Sequence, residues 1–451
     1  MPHRRRREFL RSMGAAGTAV ALTQLGMRAS RAQAPMRVAP ITMVINQSPW
    51  FEGFRQLVEQ YQKETGNKIE LDVNPYAGAL DKIRNSLRAS SGSYDLLAID
   101  NNWMVEFFDG GFLTPIGEIV PGYKLDPHVS TYGGTIFWNE KLHTFDPHGG
   151  KLMGVPINGN VEVFYYRKDL YDKHALKVPE TWDHVLANAQ KLDDGSRVYG
   201  FVHRDDRDSA LADFSNYLFS FGGDVFVDAP AGDFTVALNS AAALRALEFY
   251  LRLGKAGGYP TPGSVGQSQM IQLMATGKAA QAIGIVGAWA QLEDPTKSAV
   301  VGRIDAALIP RGQGGHHASR AGHWIGAIAG NVPRERQKAA LEFLTWFQTL
   351  DHQLAYTRYG AVPVRTDLGQ TPLARDPKFR FLAAQSENSK VAKMYAVIPE
   401  AAQMSSIVSL RLNECIIGKA QPAEALNRAA AEVQQLVARS GRKTGRLPEL
   451  K

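Results

Sequence analysis

Tyr94-Asp95-Leu96-Leu97-Ala98-Ile99-Asp100, with Asn101-Asn102-Trp103 directly behind it, decides how this chain reads. An apolar run of this length suits a strand buried on both faces, as in a sheet covered by helices. The polar residues Asp100, Asn101 and Asn102 then stand at the strand's carboxyl end, where open α/β sheets hold their ligands. Three polar side chains in a row are costly to bury unless something bonds them, so a ligand loop is favoured over a solvated turn.

Working outward, strand and helix patterns alternate. Ile41 to Ile45 is a β-rich run. Phe51 to Thr65 carries Phe54, Leu57, Val58 and Tyr61 at helical spacing and stops at Gly66. Lys68 to Val73 reads as a strand, Ala79 to Ser90 as a helix, and Glu106 to Phe108 as a short helix closed by Gly110-Gly111. Leu152 to Tyr166 is a longer β-rich stretch. Thr181 is an N-cap candidate for the helix that Trp182 opens. Ala241 to Leu253, Glu335 to Thr349 and Pro422 to Ala438 are further helices, and Ser440 to Lys451 is a polar, loosely held tail. The alternation predicts an α/β fold.

The chain has 451 residues and a formal charge of +7. Seven arginines and one glutamate lie in residues 1–34, so the rest carries about +1. Basicity is therefore no pointer to nucleic acid. Arg6-Arg7-Glu8-Phe9-Leu10-Arg11, the mildly apolar Ser12 to Met27 and the small residues Ala32 and Ala34 resemble a twin-arginine export signal over residues 1–34. Pro35 makes cleavage after Ala34 awkward and points to Ala32 instead. That reading sends a folded, soluble protein to the periplasm through the twin-arginine export machinery. The length beyond it suits two domains. Cys415 is alone, which excludes an intrachain disulfide.

Several segments taken in order resemble the maltose-binding-like class of extracellular solute-binding proteins (family 1) that serve ABC importers. They are Tyr94–Asp100 with Gly110-Gly111-Phe112-Leu113-Thr114-Pro115-Ile116; Gly154-Val155-Pro156 through Val163–Leu170; Val178-Pro179-Glu180-Thr181-Trp182-Asp183; Thr276–Ala280 before Gly287-Ala288-Trp289; and Gln403-Met404-Ser405. The resemblance implies the two-lobed, type II-like periplasmic binding fold, with a ligand cleft between lobes joined by crossing hinge segments. It assigns residues 35–162 plus 284–348 to lobe 1, and 163–283 plus 349–451 to lobe 2. It further implies a monomer, not an enzyme, that closes on a small-molecule solute and delivers it to an importer's membrane subunits.

Sugars and polyols call for aromatic faces and directional polar groups. Asn46 and Trp50 follow the first strand. Asp100, Asn101 and Trp103 follow the strand quoted above. Asn160 matches a polar contact of the family and is preferred to Asn158. Trp289, at the family's aromatic position, is the foremost stacking candidate, and Gly322, His323 and Trp324 follow a glycine-rich loop. Ser406-Ile407-Val408 stands where maltodextrin-binding relatives carry an aromatic, which favours a short or differently shaped ligand. His316-His317 lacks the partners of a metal site. Arg204-Asp205-Asp206-Arg207-Asp208 reads as a salt-linked surface turn, and Arg365 as either a cleft residue or an ion-pair partner. A small carbohydrate or polyol is the expected solute, with no cofactor and no metal. The alternatives are a glycerol phosphate ester, which needs clustered Arg or Lys in the cleft, and an exported enzyme, which needs a cofactor motif or an acid–base pair that the chain lacks.

Overall fold

The computed structural model describes residues 38–451; the expected export signal lies outside them. Eight strands make the two principal sheets: β1 (Ile41–Asn46), β2 (Ile69–Asn74), β3 (Leu96–Asp100), β4 (Gly154–Asn158), β5 (Glu162–Arg167), β6 (Gln281–Ile285), β7 (Ile304–Ala307) and β8 (Trp324–Ile328). The first sheet runs β2-β1-β3-β8-β4 and the second β6-β5-β7. β1 is parallel to β2 and β3, whereas β8 is antiparallel to both β3 and β4. Both sheets are covered by helices, of which ten matter below: α1 (Phe51–Thr65), α2 (Tyr76–Arg88), α3 (Met104–Asp109), α4 (Trp182–Leu192), α5 (Ala241–Ala256), α6 (Trp289–Leu292), α7 (Arg334–Phe347), α8 (Leu350–Arg358), α9 (Ala401–Ile416) and α10 (Pro422–Arg439).

Local sequence accounts for most of these elements. α1 buries Phe54, Leu57, Val58 and Tyr61 along one stripe and ends where Gly66 takes φ +74°. α4 starts at Thr181, whose hydroxyl accepts from His184 N at 3.3 Å, and the Trp182 indole donates to Ser220 Oγ at 2.9 Å. The long β-rich stretch divides into β4 and β5 at Gly159, which donates to Val362 O. A Cβ at Gly159 would lie 1.9 Å from Pro363 O, so only glycine lets the chain cross there.

Two lobes result. One core gathers residues of β1, β3, β4, β8, α1 and α7. The other lobe holds two clusters around β5, β6, α5, α9 and α10. The chain passes between the lobes at residues 158–162, 320–324 and 359–366. Val161 bridges Ala321, and Gly159 abuts Pro363, so the three crossings lie side by side.

The expected lobe bounds need correction in their middle portion. Residues 284–323 do not join the first lobe: β6 and β7 flank β5 in antiparallel register, and Trp289, Leu292 and Ile304 enter the second lobe's core. The chain returns to the first sheet only at β8. α8 then packs along α1, with Tyr356 in the first core, although residues from 349 onward were expected in the second lobe. The tail also departs from expectation. Val236 N donates to Gly445 O and Leu447 N to Val236 O, while Asn239 Nδ2 donates to the carbonyls of Leu447 and Pro448.

Candidate functional site

The first sheet ends in a polar row. Asn46 closes β1, Asn74 closes β2 and Asp100 closes β3, while Trp324, the first residue of β8, stands in register between Asp100 and Asn158. An aromatic residue follows each of the three parallel strands: Trp50 after β1, Tyr76 after β2 and Trp103 after β3. Their rings converge on Trp324. Trp50 lies 5.9 Å from it, Trp103 5.3 Å and Tyr76 6.0 Å between centroids, and Tyr76 and Trp103 are 4.4 Å apart. The three indoles are buried, so Tyr76, 44% exposed, is the ring of this group that meets solvent.

Asp100 Oδ1 accepts from the Tyr76 hydroxyl at 3.1 Å and from Asn102 N and Nδ2 at 2.9 and 2.7 Å. Oδ2 has no hydrogen-bond partner among the described residues. Burial raises the Asp100 pKa, opposed by the Asn102 amide and by the positive charge of Arg320. Although its ring is exposed, the Tyr76 hydroxyl is sheltered against Asp100, and desolvation there, with the Asp100 charge, pushes its pKa well up. Asn101 ties this loop to the second crossing: its amide donates to His323 O and its Nδ2 to Ala321 O.

The crossings hold the remaining candidates. Gly322 N donates to Asn160 O, and Asn160 Oδ1 accepts from Gly287 N at 2.8 Å. His323 has no exposed surface, stacks on Tyr132 with centroids 4.1 Å apart, and contacts Thr135 Oγ1 through Nε2. Burial, aided by Arg320, pushes its pKa down to about 3, so the ring is neutral.

Facing this edge from the second lobe is a buried charge cluster. Glu162 Oε1 accepts from Arg204 Nη2 at 2.9 Å and Arg320 Nη1 at 3.2 Å. Arg204 Nη1 also donates to Gln267 Oε1, and the Arg320 guanidinium lies 5.6 Å from the Tyr395 ring. Burial works against the charge on Arg320, but Tyr395, Glu162 and Asp100 outweigh it and leave its pKa above the ordinary arginine value. Polar atoms without partners concentrate here: Asn46 Oδ1, Ser48 Oγ, Asn101 Oδ1, Asn102 Oδ1, Asn158 Nδ2, Glu162 Oε2, Arg204 Nε and Arg320 Nε. A buried polar atom left unbonded costs about 1–3 kcal/mol, so such a concentration marks a place that water or a polar solute can complete.

The structure thus brings Asn46, Trp50, Asp100, Asn101, Trp103, Asn160, Gly322, His323 and Trp324 to the sheet edge and the crossings. It does not bring Trp289 to the ring group. That indole donates to Lys378 O at 2.8 Å, and its ring neighbours are Tyr165, Phe381 and the Arg380 guanidinium, 4.5 Å from the centroid. Its faces are taken by the second lobe's core, and its edge borders a separate cavity of about 280 Å³ shared with residues 357–362. The Arg204–Asp208 run is not a surface turn throughout, because Arg204 and Asp205 are buried. Arg365 resolves as an ion-pair partner of Asp126 and Asp367, each at 2.7 Å. A hollow of about 720 Å³ on the outer sides of α1 and α8 is remote from this chemistry.

Tyr76, Glu162, Arg204, Arg320 and Tyr395 were not among the sequence candidates. Two carried a legible signal. Tyr76 repeats the pattern of strand, polar residue and aromatic seen at Asn46/Trp50 and Asp100/Trp103. Glu162 interrupts the apolar run Val161 to Tyr166, where an acid must find a cation. Among the described residues no group of His, Cys, Asp and Glu could hold a metal, and no helix is long and apolar enough to cross a membrane.

Comparison with known proteins converges on one family. Residues 46–353 match the family described as bacterial extracellular solute-binding protein. A binding protein of Brucella abortus (strain 2308) is 24% identical over 94% of this chain and 98% of its own length. The galactooligosaccharide-binding protein of Bacillus subtilis (strain 168) is 23% identical over 84% of this chain and 85% of its own. In fold, the chain is similar to an ABC transporter solute-binding protein from Agrobacterium radiobacter K84 solved in complex with ribitol. That match has a TM-score of 0.75 at 23% identity, covering 89% of this chain and all of the other.

Proposed function

Because this chain belongs to the bacterial extracellular solute-binding protein family, we propose that it captures an uncharged polyol or small sugar between its lobes and delivers it to the membrane subunits of an ABC importer. The observation that carries this reading is the row of unpartnered polar atoms at the first sheet's edge, beside the Trp50/Tyr76/Trp103/Trp324 rings and opposite Arg320 and Tyr395. Solute bonding to both sides at once stabilises the closed form, so binding acts as a population shift. Asn46, Asp100, Asn101 and Asn160 are the proposed polar contacts, with Tyr76 added as a stacking face. Relatives that bind galactooligosaccharide and ribitol support the chemical class.

Charge balance favours an uncharged solute over a glycerol phosphate ester. Arg204 and Arg320 are matched by Glu162 and Asp100, so a phosphate would meet two carboxylates and no surplus cation. The protein works in the periplasm as a non-catalytic monomer, exported through the twin-arginine route by residues 1–34. Thermal-shift measurement of the mature protein against ribitol, mannitol, galactose and glycerol 3-phosphate tests this directly. Saturable stabilisation by an uncharged compound is expected; stabilisation by glycerol 3-phosphate alone would overturn the reading.

A further inference from the structure

The cavity of about 280 Å³ beside the third crossing shares no lining residue with the polar edge of the first sheet. Its walls come from different lobes. Val286, Trp289, Phe379 and Phe381 belong to the second lobe's core, whereas Arg358 and Tyr359 stand at the end of α8, which packs along α1 of the first lobe. Tyr359 is fixed there, its hydroxyl donating to Gln60 Oε1 at 3.1 Å. The walls close on each other at Gly360, where a Cβ would lie 3.7 Å from Ala290 Cβ. Ordinary small-molecule pockets hold about 300–1,000 Å³, so this one suits a single ring. Its charged groups are not equivalent. Glu293 Oε1 takes Arg380 Nη2 at 2.5 Å, and Asp294 is occupied by Thr296 and Lys297. Arg358 and Lys378 also line the cavity, and among the described residues neither side chain meets a carboxylate. The unmatched charge is therefore one cation on each wall, around an aromatic floor where Trp289 and Phe381 lie 5.4 Å apart.

We propose that this cavity is a second binding site, for a small aromatic carboxylate whose ring lies against Trp289, Phe379 and Phe381 and whose carboxylate lies between Arg358 and Lys378. Burial against apolar walls holds the ring. The carboxylate gains from a guanidinium fork on one side and an ammonium on the other, and neither cation has to leave an existing partner. An uncharged ring forgoes that gain, and a cationic one is repelled. Glu293 and Asp294 do not offset this, because their charges are already answered by Arg380 and Lys297. Since the two cations stand on different lobes, the ligand is held by both lobes at once.

Titration of benzoate into the mature protein carrying nitrogen-15 indoles, followed by NMR, tests this. The chain has seven tryptophans, so the Trp289 resonance, assigned through Trp289→Phe, is read against the others. It should move saturably, with benzoate binding at least about fourfold more tightly than benzyl alcohol or benzylamine. Arg358→Gln and Lys378→Gln change exposed side chains and should leave folding intact. Each should weaken benzoate about two- to fivefold, without altering benzyl alcohol. Movement of other indoles but not Trp289, or of none, would overturn the assignment. So would benzyl alcohol or benzylamine binding as well as benzoate. Sensitivity to only one of the two cations would reduce the site to the surface of one lobe and overturn it equally. Each of these failures leaves the solute reading of the sheet edge untouched, because that edge shares no residue with this cavity.

Discussion

His323 sits where the second crossing enters β8, sealed against Tyr132 and Thr135 and facing the charge of Arg320. Its pKa of about 3 lies below the ordinary histidine value near 6.5, so the folded state resists a proton that the unfolded chain accepts. Stability from this residue is complete above about pH 6.5 and drains as pH falls toward 3, by at most about 1.4 kcal/mol per unit. Asp95, Asp100 and Asp205 have raised pKa values, chiefly from burial, and work in the opposite sense. Comparing thermal unfolding of the native protein and His323→Gln between pH 7 and 4 isolates the histidine: the variant should lose less stability on acidification. Equal slopes would mean that His323 is protonated in the fold. Trp289 makes a second residue-scale test. Trp289→Ala should destabilise the second lobe by about 3–5 kcal/mol, as expected for a buried indole. Affinity should remain measurable at temperatures where the variant is folded. Lost affinity without lost stability would return Trp289 to the binding surface.

At the scale of elements, the crossings are the sensitive parts. Gly159→Ala forces its methyl against Pro363 O and should cost about 1–3 kcal/mol of stability as the first and third crossings part. Solute affinity should fall with it, because the lobes then meet at the wrong angle; an unchanged melting temperature and affinity would show that the crossings have slack. The elements themselves were largely legible. α1, α4, α5, α7 and α10 follow from apolar spacing, caps and glycine stops, since these are local properties of the chain. The division of residues 152–166 into β4 and β5 was not legible, because what breaks the strand at Gly159 is Pro363, some two hundred residues away. Likewise β7 gives no local sign of pairing with β5 rather than joining the first sheet.

Across the whole molecule, the lobes touch away from the crossings as well. Asp109, at the end of α3 in the first lobe, accepts from Arg442 Nη2 at 3.1 Å, and Arg442 lies against the Phe234 ring of the second lobe. Thr144 and Ala229 meet on the same side, and His143 also bonds Asp109. This contact ties the lobes together, so Arg442→Ala should raise the radius of gyration of the unliganded protein in solution scattering. It should also weaken solute binding by about two- to fivefold at low salt, in line with a partly exposed ion pair. A scattering curve identical to that of the native protein would place the contact outside the opening motion.

The sequence by itself determined the α/β alternation and the family, and nine of its ten candidate residues lie at the sheet edge and crossings. These follow from periodicity, strand ends and short motifs, each readable within a few residues. Only the tertiary structure decided that Glu162, Arg204 and Arg320 form one buried charge cluster opposite Asp100, that Trp289 packs within a core, and where the chain changes lobes. Those outcomes depend on which distant segments share a sheet, and on whether a charge meets its partner or water after folding. Neither is written in local pattern, because burial is a property of the assembled chain.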